Sequence, residues 1–206
     1  MSILTEALDY VGGMSRTTKM PGWSYSIPAW HCIVGSKLRK VANSACSICY
    51  ALKGNYVRFP AVGAAMERRF SSLEKPRWVE CMVTAITRRK VAHFRWHDAG
   101  DLQSVEHLER IVAVARQTPD TAHWLPTRER DFVGQSGQEF PPNLCVRVSA
   151  NMIDKRPGRG FANTSTIHRK MDPIGHECPA SKQEGSCGNC RACWDTTVDN
   201  VSYPAH

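Results

Sequence analysis

The chain has 206 residues, 42% of them hydrophobic and 22% charged, a net charge of +8 and nine cysteines, which suits one domain over 1–206 with a full hydrophobic core. No run approaches the roughly 20 apolar residues of a membrane span, and residues 1–13 lack the basic start and apolar stretch of an export signal, so a cytoplasmic protein with no membrane partner is expected. Nine cysteines in a reducing compartment favour metal ligation over a disulfide framework, which an odd number could not complete.

In chain order, residues 19–30 are rich in Gly, Pro, Trp and Ser and predict an ordered loop with aromatic anchors. Cys32, Cys46 and Cys49 follow, three thiols within 18 residues ending in Cys-x-x-Cys, and mark a first metal segment over 30–51. Trp78 to Lys90 carries apolar residues at helical spacing and ends in a basic turn, with Cys81 on the apolar face. His93 to His97 predicts a strand, closed by Asp98-Ala99-Gly100-Asp101. Ser104 is placed to cap a helix in which Val105, Leu108, Val112 and Ala115 share a face. Strands are expected at 122–125, at 143–149 with Cys145 in the core, and at 165–168. Strand, helix, strand at this spacing implies right-handed βαβ units and a mainly parallel sheet.

In such sheets ligands gather at the carboxyl ends of the strands. Asp101 ends one strand and Arg128 another, and both are candidate cofactor contacts. Asp101 has a plainer role open to it, as a turn carboxylate capping the next helix, and that role is the better one for Asp98. Arg128 has an exposed ion pair with Glu129 or Asp131 as its alternative. The basic residues fall in small groups scattered along the chain, which is the pattern of a solvated surface, with a patch assembled by folding as the alternative.

A second metal segment spans 176–195. Cys187-Gly188-Asn189-Cys190-Arg191-Ala192-Cys193 follows Cys178-Pro179 by nine positions. Soft thiolates on short glycine-containing spacers let one loop wrap a metal centre. Cys-x-x-Cys-x-x-Cys with a Cys-Pro pair is closer to the ligand run of a [4Fe-4S] ferredoxin than to a zinc site, where pairs of cysteines usually come from distant turns. Seven cysteines exceed what one cubane uses. Their division into three and four predicts two iron–sulfur centres, the N-terminal one incompletely ligated and reactive, with His31 as a candidate fourth ligand and Asp101 and Arg128 lining its pocket.

The set Ile27-Pro28-Ala29, Cys32, Cys46-x-x-Cys49-Tyr50-Ala51, His97-Asp98-Ala99-Gly100-Asp101, Cys178-Pro179-Ala180 and Cys187-Gly188-x-Cys190-x-x-Cys193-Trp194 resembles the bacteriophage family called gene product 88 over most of the chain. The resemblance implies a phage-encoded iron–sulfur protein in the host cytoplasm, on a partial or complete β/α barrel akin to the radical-SAM core. Cys32, Cys46 and Cys49 would then hold one cluster, and Cys178, Cys187, Cys190 and Cys193 another. S-adenosylmethionine would accompany a radical-SAM reaction, but the Cys-x-x-x-Cys-x-x-Cys motif of those enzymes is not present, since Ala42 stands four before Cys46. Partners on this reading are an electron donor or nucleic acid. The alternative is a zinc-stapled structural or nucleic-acid-binding protein.

Overall fold

The computed structural model describes residues 2–205. Its framework is one eight-stranded sheet of β1 (Ser15–Arg16), β2 (Trp23–Tyr25), β3 (His93–Trp96), β4 (Ala122–Thr127), β5 (Leu144–Ser149), β6 (Thr164–His168), β7 (His176–Glu177) and β8 (Asn200–Pro204). The helices are α1 (Ile3–Val11), α2 (Ile33–Leu38), α3 (Asn55–Arg58), α4 (Pro60–Phe70), α5 (Trp78–Arg88), α6 (Val105–Gln117) and α7 (Arg130–Gln135). Across the sheet the order is β1-β2-β3-β4-β5-β6-β8-β7. Every neighbouring pair is parallel except β1 with β2.

From β2 to β6 each new strand joins the same side of the one before, so the expected mainly parallel α/β sheet is present. Barrel closure is not. The edges β1 and β7 do not pair with each other, so the sheet is open. Each edge strand has two residues, and β1 runs antiparallel, so neither offers the ladder that a closing strand needs.

Alternation along β3 sorts the two faces. Phe94 and Trp96 are fully buried and point to the helices, where their neighbours include Trp78 of α5 and Tyr25 of β2. Trp78, Cys81, Met82, Ala85 and Ile86 form the buried stripe of α5, as their spacing predicts. The Ser104 hydroxyl caps α6, accepting from the His107 N–H at 3.1 Å. Residues 19–30 are more ordered than a loop, because β2 pairs in register with β3. The Tyr25 hydroxyl donates to the Val11 carbonyl at 2.7 Å and accepts from Trp78 Nε1 at 3.2 Å, tying that strand to α1 and α5.

The opposite face is covered by the return from β6 to β8, which carries β7 and the C-terminal cysteines. Trp194 packs edge-on against Trp124, and its indole N–H donates to the Phe94 carbonyl at 3.0 Å. Leu144 to Val148 of β5 are therefore all buried, as in a strand covered on both sides. Arg147 is fully buried among them. Its guanidinium donates to the carbonyls of Ala192, Cys193, Asp195 and Val198 in the return, and to that of Thr164, at 2.7–3.2 Å. Cys81 and Cys145 are core residues, as expected. Among the described residues no helix is long and apolar enough to cross a membrane.

Candidate metal centres

The N-terminal cysteines are set over the carboxyl ends of β3, β4 and β5. Cys32 is the residue before the first turn of α2. The buried Glu129 carboxylate accepts from the Val34 N–H of that turn at 2.8 Å, which fixes the Cys32 backbone beside the end of β4. Cys46 lies in a 3-10 turn, Ala45–Ile48, capped by the Ser44 hydroxyl. That turn is pinned to the end of β5 by Ala45 N–H to Asn151 C=O at 2.8 Å and Ile153 N–H to Asn43 C=O at 2.9 Å. Both sulfurs face Gly35: a Cβ there would lie 3.6 Å from Cys32 Sγ and 3.7 Å from Cys46 Sγ.

Burial pushes the Cys32 thiol far above its ordinary range, and negative charge on Asp101, Cys49, Cys46 and Glu129 adds to the shift. Burial also raises Cys46, against the pull of the Arg128 guanidinium. Arg128 makes no ion pair with Glu129 or Asp131 among the described residues, and its Nε is buried without a partner. Glu129 is turned instead to α2. Asp101 is buried, accepting from the Leu102 N–H, the Thr127 hydroxyl at 2.6 Å and the Arg128 N–H at 2.9 Å. It ties the ends of β3 and β4 together, while Ser104 caps α6. Burial outweighs those hydrogen bonds and raises its carboxyl. His31 points away from the thiols, stacked on Phe70 at 4.0 Å with Nε2 3.2 Å from Glu67. Its ring is thus engaged with α4 and not with the thiols beside which its place in the chain puts it.

The C-terminal cysteines gather on the face that the return segment covers. Cys178 follows β7 and donates its N–H to the Ser202 carbonyl. Gly188 takes a left-handed φ of 50° in the turn between Cys187 and Cys190. Cys190 Sγ is 3.3 Å from His176 Nε2, and Cys193 Sγ is 3.1 Å from the Tyr203 hydroxyl. Burial pushes Cys193 up to about 12. Cys187 is raised by burial and then by charge on Cys178 and Cys190. All nine cysteines are unpaired. Among the described residues no group of three or more His, Cys, Asp or Glu side chains is already arranged as a metal-ion site.

Between the two groups lies Arg95, on the return-segment side of β3. It stacks over Trp124 at 4.4 Å, and its N–H groups reach Met20 Sδ at 3.1 Å and the Tyr50 hydroxyl at 3.3 Å. The Tyr50 hydroxyl donates in turn to the Asp98 carbonyl, and the Tyr56 hydroxyl to Asp98 Oδ2 at 2.8 Å. Asp98 Oδ1, Arg95 Nε and both ring nitrogens of His97 are buried without partners among the described residues. His97 also has a left-handed φ of 54°.

A family model described as Gene product 88 matches residues 4–196. The chain belongs to the Gene product 88 family. No curated protein and no solved structure matches it. The matched span takes in all nine cysteines of this Gene product 88 member, together with Arg95, Asp101, Arg128 and Glu129. Sequence reasoning missed Glu129, Arg95 and His176 as parts of these sites. Glu129 and Arg95 lack a local signal, because their partners are far away in the chain. His176, two residues before Cys178, had one.

Proposed function

We propose that this phage gene product is an iron–sulfur protein with two centres, Cys32, Cys46 and Cys49 holding one and Cys178, Cys187, Cys190 and Cys193 the other. The observation that carries the reading is the placing of three thiols from two separate turns over the carboxyl ends of a parallel sheet, where such sheets present ligands. The donor chemistry fits. Thiols that burial and mutual repulsion keep protonated ionise readily only beside a strongly cationic centre, and a bound metal deprotonates them outright.

We read the sheet as a partial β/α barrel of the radical-SAM kind, and the [4Fe-4S] type as the one that suits both ligand runs. Bound there, the clusters would supply one-electron transfer, with an electron donor as partner. The chain's own residues define the surroundings. Arg128 brings a cation without a carboxylate partner beside Cys46, suited to hold an anionic group. Asp101 holds the ends of β3 and β4 in place, and Glu129 fixes the turn that presents Cys32. S-adenosylmethionine is a secondary candidate ligand for that position, because the spacing before Cys46 is not that of the radical-SAM motif.

Anoxic purification followed by iron, sulfide and zinc analysis tests the reading. Iron with an equal amount of sulfide and a brown colour is the expected result, and a colourless protein carrying only zinc would overturn it in favour of a zinc-stapled protein. Cys46→Ala should remove about half of the iron and leave the C-terminal centre spectroscopically intact, whereas Cys81→Ser should leave metal content unchanged. Unchanged iron in Cys46→Ala would make the N-terminal thiols structural.

A further inference from the structure

We propose that the face built by α2, α3 and the turns around Cys46 and Tyr50 binds single-stranded nucleic acid. Between Asp9 and Glu67 the chain contains no acidic residue but seven lysines and arginines, so this stretch carries nearly all of the net charge of +8. Five of the seven (Lys37, Arg39, Lys40, Lys53 and Arg58) are exposed on this one layer. Ile153 and Met152 join it by backbone contacts to Asn43 and Ser44, which brings the exposed Lys155 and Arg156 to its margin.

Exposed aromatics lie among these cations. Trp30 is 38% exposed, Tyr50 53% and Phe59 49%. Two of them are held by their polar tips. The Trp30 indole N–H donates to Glu67 Oε1 at 2.8 Å, and the Tyr50 hydroxyl is fixed between Arg95 and the Asp98 carbonyl. The rings are thus ordered in advance while much of their surface stays in water. The layer is continuous: the Tyr50 and Tyr56 rings are 5.8 Å apart, and a Cβ on Gly63 of α4 would lie 3.8 Å from the Trp30 ring. The Arg58 guanidinium is 6.0 Å from the Phe59 ring.

Cations alone would serve an acidic protein, or the backbone of any nucleic acid, equally well. Anchored aromatic planes between cations add what unpaired bases need, a surface on which to stack, and a duplex keeps its bases inside. Charge and aromatic placement together therefore select the single strand. This inference does not depend on the identity of the metal.

The test is fluorescence anisotropy of the full-length, anoxically purified protein with a labelled oligothymidylate of about 20 nucleotides, and with a duplex of the same length, at low and moderate salt. The single strand should bind more tightly, with an affinity that falls as salt rises. Trp30→Ala and Phe59→Ala should each weaken single-strand binding at least about fivefold with the salt dependence unchanged. Lys53→Ser combined with Arg58→Ser should flatten the slope of log K against log salt by about 0.7 for each phosphate that is no longer neutralised. Arg88→Ser, on the last turn of α5, should change neither. The lysine and arginine variants should melt like the parent; Trp30→Ala also loses the bond to Glu67 and should melt somewhat earlier, so binding is measured well below its midpoint. Equal binding of duplex and single strand, or aromatic variants that bind like the parent, would overturn the proposal. Absence of oligonucleotide binding together with binding to polyglutamate would also overturn it, and would assign the face to an acidic protein.

Discussion

Glu129 shows how one side chain sets a cysteine in place. Its carboxylate is buried and raised chiefly by that burial, yet it accepts from the first turn of α2, whose free N–H groups favour an anion. Glu129→Ala should therefore cost about 1–2 kcal/mol, the range for a lost N-terminal cap, and should speed metal loss from the N-terminal centre. Glu129→Gln keeps an acceptor oxygen and should cost less. Thermal unfolding and timed chelator challenge check both, and equal effects of the two substitutions would mean that Glu129 does not hold α2. Arg95 poses the opposite case, a guanidinium with no carboxylate within ion-pair distance among the described residues, placed between the two thiol groups. On the two-centre proposal, Arg95→Met should leave metal content unchanged but shift the visible spectrum or midpoint potential of the C-terminal centre, since Cys187 and Cys193 both feel that positive charge. Anoxic redox titration decides it.

At the scale of elements, Arg147 is the tie between β5 and the return segment. Arg147→Met fills much of the same volume but takes a donor from five carbonyls; Ala192, Asp195 and Val198 keep another donor while Cys193 loses its own, so the expected cost is about 2–3 kcal/mol. Limited proteolysis should then cut within residues 169–199 first, and C-terminal metal should be lost ahead of N-terminal metal. A variant as protease-resistant as the parent would show that Trp194 and its neighbours hold the segment unaided. How far these elements were legible follows from where their contacts lie. The β3-α6-β4 unit and β5 could be read because their apolar spacing is local, with bounds off by a residue or two. Trp23-Ser24-Tyr25 and Asn200 to Pro204 alternate apolar and polar residues, but over too short a run beside Pro and Gly to stand out; they are strands because β3 and β6 offer them ladders. Arg147 sits where a polar residue should face water, and what covers it arrives some 45 residues later. The seven candidate ligands were legible as two groups, and the structure places each group in one neighbourhood. The strand-end roles of Asp101, Arg128 and Glu129 needed the fold.

For the whole molecule, three buried histidines make the fold sensitive to acid. Burial holds His107 and His123 down at about 3, and His97 well below its ordinary value. In the unfolded chain each titrates near about 6.5. Below that pH the unfolded state takes up protons that the folded state refuses, so stability falls as pH falls, over a window from about 6.5 down to about 3. Each histidine contributes up to about 1.4 kcal/mol per pH unit inside it. Asp101 and Glu129 act with the opposite sign, because their raised carboxyls take up protons in the folded state first. His107→Phe should remove about one proton from the slope of stability against pH, read from urea unfolding between about pH 6 and 4.5. An unchanged slope would mean that His107 already titrates normally in the folded protein.

The position of β8 has a consequence for the order in which the protein matures. It is the last of the eight strands to be synthesised, yet it is an interior strand, between β6 and β7. While residues 200–204 are still inside the ribosome, β6 has an open edge, β7 has no neighbour, and Cys178 lacks the Ser202 carbonyl that receives its N–H. The N-terminal thiols face no such delay, since β3 to β5 and the loop to Ile153 have already emerged. If the two proposed centres are filled during synthesis, the N-terminal one would accordingly be filled first. On the two-centre reading, a released chain truncated after Asp199 should carry the first centre and leave the second four thiols open to alkylation.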